Sequence, residues 1–126
     1  MSAVHPFRKK ILVFDDSPLV LELTQQALES EGFAVAAAAD LTAFEQARAA
    51  MTPDLILVDV QMPEAFGDDV ASTLRGVRGV NVPIILVSNL DEPELERRAA
   101  EADADGWISK RRGMDELVRR VKEYLT

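Results

Sequence analysis

Polar side chains that could take part in phosphoryl transfer follow four apolar runs of the sequence. Carboxylates that converge on one point repel one another, and a hard divalent cation with oxygen ligands, such as Mg²⁺, offsets that repulsion. A hydroxyl and an ammonium nearby could stabilise the charge of a phosphoryl group while a carboxylate accepts that group in line as a nucleophile. The residues concerned are Asp15 with Asp16, Asp59, Ser88 and Lys110.

Each of these residues also has a plain structural interpretation. Asp15 and Asp16 could be capping residues at the start of a helix, and Asp59 or Ser88 could simply end a strand. Lys110 could belong to a solvated basic run with the two residues that follow it. Any one of these structural interpretations is plausible alone. It is much less expected that all of them hold together at successive strand ends, so we favour a common site.

The elements that must position these side chains are short apolar runs. Runs of this kind, without alternation, are typical of strands buried on both faces of a parallel sheet. Because the carboxyl ends of parallel strands meet at one edge of a sheet, the polar residues are expected there. The second strand rests on the least evidence, since its alanines would suit a helix equally well. Strands are predicted at residues 11–14, 33–37, 55–59, 84–87 and 107–108.

Helices are predicted between and after the strands from caps and apolar spacing. Ser17 and Pro18 begin the first helix, Asp40 or Thr42 caps the second, and Asp91 opens the fourth. Each helix has a predicted inner face of apolar residues. From the first helix to the fifth, these faces are Val20, Leu23 and Ala27, widened by Leu19, Leu21 and Leu28; Phe44, Ala47 and Met51; Val70, Leu74 and Val77; Leu95, Ala99 and Ala102; and Met114, Leu117, Val118, Val121 and Leu125.

This alternation of five strands with five helices predicts an α/β fold. It implies a parallel sheet with helices on both faces and right-handed crossovers. The length of 126 residues suits one domain, which we place at residues 9–126 after an N-terminal flank at 1–8.

Composition excludes several classes of function. The chain has no Cys and only one His, His5, so disulfides, thiolate catalysis and His clusters are excluded. The net charge of −8 argues against direct nucleic-acid binding by this domain. No apolar run is long enough to cross a membrane and the N-terminus lacks a signal-peptide core, so we expect a soluble cytoplasmic protein.

The combined pattern resembles the receiver domain of bacterial two-component response regulators. The resemblance covers essentially the whole chain. It implies a doubly wound, flavodoxin-like (βα)5 fold with five parallel strands in the order 2-1-3-4-5. The residues that carry it are Asp15 and Asp16, Asp59 with Met62, Pro63 and Gly67 at the usual offsets, Ser88, and Lys110.

The resemblance also implies a role for each residue of the motif. Asp59 would accept a phosphoryl group from a histidine kinase or phosphotransfer protein in a Mg²⁺-dependent reaction, and water would later remove it. The chain would therefore act as a switch, not as an enzyme on other substrates. The implied metal ligands are Asp16, Asp59 and the backbone carbonyl of Gln61, with Asp15 acting mostly through water; Ser88 and Lys110 would bind phosphoryl oxygens, and Ser88 and Trp107 would be the switch pair.

Three residues depart from the family pattern. Arg111 stands where Pro usually follows the Lys, so we expect a trans peptide bond and a reshaped loop. Asn89 is larger than the usual residue after Ser88, and it would either narrow access to Asp59 or position a water. Trp107 replaces the usual Tyr or Phe; it either covers the sheet edge, biases the switch, or contacts a partner.

Other functions remain open at this point. A phosphorylation-independent interaction module with the same fold is the main alternative, and Mg²⁺ binding discriminates between the two. An aspartate-nucleophile phosphatase would need a D-x-D arrangement around its nucleophile, whereas Asp15 and Asp16 are adjacent. A nucleotide- or flavin-binding module would need a glycine-rich loop, G-x-G-x-x-G or a P-loop, after the first strand, and the sequence has neither there. The chain is either a single-domain regulator or a piece of a longer protein.

The surface of residues 91–124 is the predicted docking face for a downstream partner. Its alternative interpretation is an ordinary solvated surface. The resemblance also allows a homodimer through this region. The arginines of the docking face are Arg97, Arg98, Arg111, Arg112, Arg119 and Arg120.

Overall fold

A five-stranded parallel sheet forms the centre of the molecule. The structure is a computed structural model, and it describes residues 8–60 and 81–125. The strand order β2-β1-β3-β4-β5 confirms the predicted doubly wound topology. The strands are β1 (Lys10–Phe14), β2 (Ala34–Ala38), β3 (Leu55–Asp59), β4 (Ile84–Ser88) and β5 (Gly106–Ser109).

Four helices lie within the described residues. They are α1 (Pro18–Glu29), α2 (Leu41–Ala50), α3 (Glu92–Glu101) and α4 (Met114–Tyr124). The helix predicted around Val70, Leu74 and Val77 lies outside the described residues, as do Gln61, Met62, Pro63 and Gly67. None of the described helices has the length and apolar character that crossing a membrane requires.

The two faces of the sheet carry separate apolar cores. Because side chains alternate along a strand, Leu12 and Phe14 of β1 face one core while Ile11 and Val13 face the other. The first core includes Phe44 of α2 with Leu95 and Ala99 of α3, and the second includes Leu21 and Leu28 of α1 with Leu117 and Val121 of α4. Burial on both faces explains why the central strands are apolar runs.

The caps of three helices follow from the sequence. The side chains of Ser17, Asp40 and Asp91 each accept a hydrogen bond from a backbone N–H in the first turn of α1, α2 and α3. Asp40, not Thr42, therefore caps α2. These caps fix where each helix begins relative to the strand that precedes it.

The predicted inner face of α1 is wrong at Leu19 and Leu23 and is confirmed at Leu21 and Leu28. Leu21, Thr24 and Leu28 are buried, whereas Leu23 is 48% exposed and Leu19 is 65% exposed. The helix carries apolar residues around most of its circumference, so periodicity alone does not select one stripe. Packing against the sheet selects a stripe that includes the polar Thr24, and it leaves two leucines at the surface.

The segment after β5 forms a 3₁₀ turn at Lys110–Arg112. The peptide bond between Lys110 and Arg111 is trans, as expected without a proline. Gly113 follows with φ of +90°, a conformation that side-chain-bearing residues rarely adopt, and it redirects the chain into α4. The turn places Lys110 at the carboxyl edge of the sheet.

Candidate functional site

Three carboxylates converge at the carboxyl edge of the sheet. Asp15, Asp16 and Asp59 each offer an oxygen atom, and these atoms lie within 4.8 Å of one another. Asp15 and Asp59 are buried, whereas Asp16 is exposed. The register explains the meeting, since β1 and β3 are neighbours and Phe14 pairs with Val58, one residue before each acidic position. Groups of equal charge this close repel one another unless a cation lies among them.

Lys110 supplies part of the compensating charge. Its Nζ lies 2.7 Å from Oδ2 of Asp15 and 3.5 Å from Oδ1 of Asp59. The Lys110 side chain is 17% exposed, so water screens both ion pairs only weakly. Sequence reasoning placed Lys110 at this edge correctly, and the structure adds that its shorter contact is with Asp15.

The loop between β1 and α1 holds Asp15 in place. Oδ1 of Asp15 accepts a hydrogen bond from the backbone N–H of Ser17 at 2.9 Å, while Oγ of Ser17 caps α1 through the N–H of Val20. Both oxygens of Asp15 therefore have protein partners. Within the part of the chain that the structure describes, the Asp16 carboxylate has no hydrogen bond or ion pair.

The donor set fits a hard divalent cation. Carboxylate oxygens are the ligands that Mg²⁺ prefers, and it is bound in proteins by one or two carboxylates with water in the remaining positions. One buried carboxylate, Asp59, and one exposed carboxylate, Asp16, could serve in this way, with Asp15 beside them. The net charge of three carboxylates and one ammonium is −2, which a divalent ion balances.

Ser88 lies at the end of β4, next to the strand that carries Asp59. Val87 pairs with Asp59, so Ser88 stands one residue further toward the edge. The Ser88 side chain is buried, and its Oγ accepts a hydrogen bond from the N–H of Leu90 at 3.1 Å. Asn89 is exposed and lines a cavity beside the carboxylates.

An apolar cavity opens beside the carboxylates, between α1 and α4. Its volume is about 260 Å³. Asp15, Asp59 and Lys110 stand at its polar end. Leu23, one of the two exposed leucines of α1, lies at its border. No pattern in the sequence signals this cavity, because its lining comes from residues of several strands and of two helices that are distant in the chain. The apolar lining comprises Val13, Phe14, Val20, Leu23, Leu57, Val87, Met114 and Leu117.

Trp107 lies on β5, the edge strand, and pairs with Leu86. It is half-buried and packs against the core on the α3 side of the sheet. The guanidinium of Arg120 lies 5.9 Å from the centre of the Trp107 ring and donates a hydrogen bond to its backbone carbonyl at 3.2 Å. No pattern in the sequence signals this contact, since the two residues lie on different elements.

Five of the six arginines in the predicted docking face are paired with glutamates. Arg112 spans from the 3₁₀ turn to Glu92 at the start of α3, and its hydrogen bonds hold the pKa of the Glu92 carboxyl below its usual value. The face is therefore close to charge-balanced, not basic. Arg111 is exposed and, among the described residues, its side chain has no such partner. The pairs are Arg97 with Glu94 and Glu101, Arg98 with Glu94, Arg112 with Glu92, Arg119 with Glu116 and Glu123, and Arg120 with Glu123.

Comparison with known proteins agrees with this geometry. Residues 11–122 match the family model described as the response regulator receiver domain. The chain is 35% identical over 122 residues to the DNA-binding response regulator MtrA of Mycolicibacterium smegmatis, with 94% of this chain and 51% of the relative covered. It is 31% identical over 112 residues to the transcriptional regulatory protein KdpE of Mycobacterium tuberculosis, covering 89% of this chain and 49% of the relative. The chain thus spans about half the length of these relatives.

Solved structures show the same fold. A CheY-like response regulator receiver domain protein from Methanospirillum hungatei superimposes with a TM-score of 0.82 at 28% identity, covering 94% of each chain. The fold predicted from the sequence agrees with the fold of this solved relative.

Proposed function

This chain belongs to the response regulator receiver family, and we propose that it is a phosphoryl-accepting switch of a two-component system. Asp59 is the proposed acceptor, because it is the buried carboxylate at the end of a central strand with Lys110 beside it. The observation that carries the proposal is the convergence of three carboxylates and one ammonium at this edge. The proposed domain spans residues 9–126 in a cytoplasmic protein.

The proposed reaction transfers one phosphoryl group to Asp59. A carboxylate oxygen of Asp59 forms a bond to phosphorus while the bond from phosphorus to a histidine nitrogen of the donor breaks, and the electron pair stays on the imidazole. Lys110 neutralises charge on the phosphoryl oxygens, and Ser88 is proposed to donate a hydrogen bond to one of them. Hydrolysis later breaks the new oxygen–phosphorus bond and returns the carboxylate.

Mg²⁺ is the proposed cofactor, and when bound it would neutralise charge on the phosphoryl group. Asp16 and Asp59 are the proposed direct ligands, together with the backbone carbonyl of Gln61, which lies outside the described residues. Asp15 already uses one oxygen for Ser17 and the other for Lys110, which supports a role through water. The Asp16 carboxylate is exposed and has no partner among residues 8–60 and 81–125, which supports a direct one.

Three measurements test this proposal together. Calorimetry and Trp107 fluorescence should show saturable Mg²⁺ binding, followed by binding of beryllofluoride, a mimic of the acyl phosphate. Intact-mass analysis after incubation with phosphoramidate should show one added phosphoryl group with Mg²⁺ and none with a chelator. If Mg²⁺ and beryllofluoride fail to bind, and no phosphoryl group is added, the proposal is wrong and the phosphorylation-independent interaction module becomes the better account.

The proposed phosphodonor is a histidine kinase or phosphotransfer protein, and we place its docking on α1. Leu19 and Leu23 are the large apolar side chains exposed among the described residues, and Leu23 borders the cavity that ends at Asp59 and Lys110. An apolar surface directly beside a reactive carboxylate suits a protein that must bring its phosphohistidine to that point.

Substitution of Leu23 separates docking from chemistry. Leu23→Asp should lower the rate of phosphotransfer from a kinase that phosphorylates the wild-type chain about 10- to 100-fold, because burial of a leucine contributes about 1.5–3 kcal/mol. Phosphorylation by phosphoramidate should be unchanged. Ala49→Asp on α2, on the opposite face of the sheet, is the matched control. Equal loss with both donors would show that Leu23 supports the site and not the docking.

Output is proposed to pass through the docking face at residues 91–124. Ser88 ends β4 and Trp107 lies within the neighbouring strand β5, close to α3 and α4, so a shift of this pair would change the surface that these helices expose to a partner. Our expectation that this domain does not itself contact nucleic acid stays a prediction, and so does a homodimer.

A further inference from the structure

Arg120 contacts Trp107 twice, from the other side of the sheet. α4 packs on one core through Leu117 and Val121, whereas the Trp107 ring packs against the other core. β5 is an edge strand, so the Arg120 side chain reaches past that edge to place its guanidinium 5.9 Å from the ring centre. A second interaction, the hydrogen bond to the Trp107 carbonyl at 3.2 Å, fixes the same guanidinium to the backbone.

The partial burial of Arg120 and its nearby carboxylate favour this position of the guanidinium. Its side chain is 25% exposed, and its Nε lies 3.8 Å from a carboxylate oxygen of Glu123, one turn further along α4. Arg119, the preceding residue, is 56% exposed and pairs with Glu116 and Glu123 instead. The two neighbouring arginines thus have different partners, and of the two only Arg120 contacts Trp107 among the described residues.

We propose that Arg120 is a positioning residue that holds Trp107 in its present place and thereby sets how readily the switch responds to phosphorylation. This inference rests on the proposed function and on the switch pair of Ser88 and Trp107 that the family resemblance implies, and it takes phosphorylation to move the ring toward the space behind Ser88. A Trp107 ring that moves there loses its contact with the Arg120 guanidinium. The contact therefore exists in only one of the two states of the switch, the one before the movement. An interaction present in one of two states shifts the equilibrium toward that state.

Arg120→Gln removes the cation and keeps a hydrogen-bonding amide. In the absence of any phosphoryl mimic, Trp107 fluorescence should become easier to quench with acrylamide, since the ring loses its cover. With saturating Mg²⁺, the affinity for beryllofluoride measured by calorimetry should tighten about two- to fivefold, the range that a cation–π contact at an exposed or half-exposed site contributes.

Two further variants make the test specific. Arg119→Gln removes a neighbouring cation that does not touch Trp107, and it should leave both quenching and affinity unchanged. Arg120→Lys keeps the charge but loses the planar fork, so its affinity should fall between wild type and Arg120→Gln. Equal chemical-denaturation midpoints for the two glutamine variants would confirm that the affinity change is not a general loss of stability.

The outcomes distinguish this inference from the proposed function. If wild type binds beryllofluoride and Arg120→Gln binds it no more tightly, the positioning role of Arg120 is overturned while the proposed function stands. If wild type binds no beryllofluoride, the proposed function fails and the switching role of Arg120 fails with it. Unchanged quenching in Arg120→Gln would overturn the claim that Arg120 holds the ring.

Discussion

Asp59→Asn is expected to reduce phosphorylation to the background level. An amide of the same shape is a far weaker nucleophile than a carboxylate, and the substitution also removes one negative charge from the cluster of Asp15, Asp16 and Asp59. Mg²⁺ affinity should fall roughly tenfold, because the affinity of such sites depends on the number of charged ligands. The measurements are intact mass after incubation with phosphoramidate and Mg²⁺, and calorimetry of Mg²⁺ binding.

Asp54→Asn is the matched control for this substitution. Asp54 precedes the opposite end of the same strand, where its carboxylate accepts a hydrogen bond from the N–H of Lys10 at 2.8 Å. It should cost some stability and leave phosphorylation intact. A phosphoryl group found on Asp59→Asn at the wild-type rate would place the acceptor elsewhere, and borohydride reduction followed by peptide mapping would identify it.

The positions of the acidic residues could be predicted because they follow from topology. Apolar runs specify buried parallel strands, and the residue after each run must then stand at a shared edge. Asp15, Asp59 and Lys110 meet there as expected, and the pairing of Val87 with Asp59 sets Ser88 beside them. This inference needs no side-chain detail, only the direction and order of the strands.

The phase of α1 could not be predicted in the same way. Its leucines are spread around the helix, so the choice between the Leu23 stripe and the Leu21–Leu28 stripe depends on how the helix packs against the sheet. That choice is a tertiary effect, and it leaves Leu23 at the border of the apolar cavity beside Asp59. Interactions between distant charged residues, such as Arg112 with Glu92, have no periodic signature and likewise required the structure.

Lys110 is expected to matter for stability as well as for chemistry. It is the cation that two buried carboxylates share, at 2.7 Å from Asp15 and 3.5 Å from Asp59. Lys110→Met would keep the side-chain length and leave both carboxylates without that partner. Removing one member of a buried ion pair costs about 3 kcal/mol or more, so the free energy of unfolding without divalent ions should fall by about that amount.

Mg²⁺ should restore much of the stability that Lys110→Met loses, since the ion and the Lys110 ammonium both offset the repulsion among the three carboxylates. At a hundredfold excess over its dissociation constant, a bound ion adds about 2.7 kcal/mol to the free energy of unfolding. Urea denaturation with Mg²⁺ and with a chelator measures this recovery. Arg111→Met, which removes an exposed cation one residue away, should change neither value by more than about 0.5 kcal/mol. A Lys110→Met protein as stable as wild type in chelator would mean that the carboxylates do not depend on Lys110 for their charge balance.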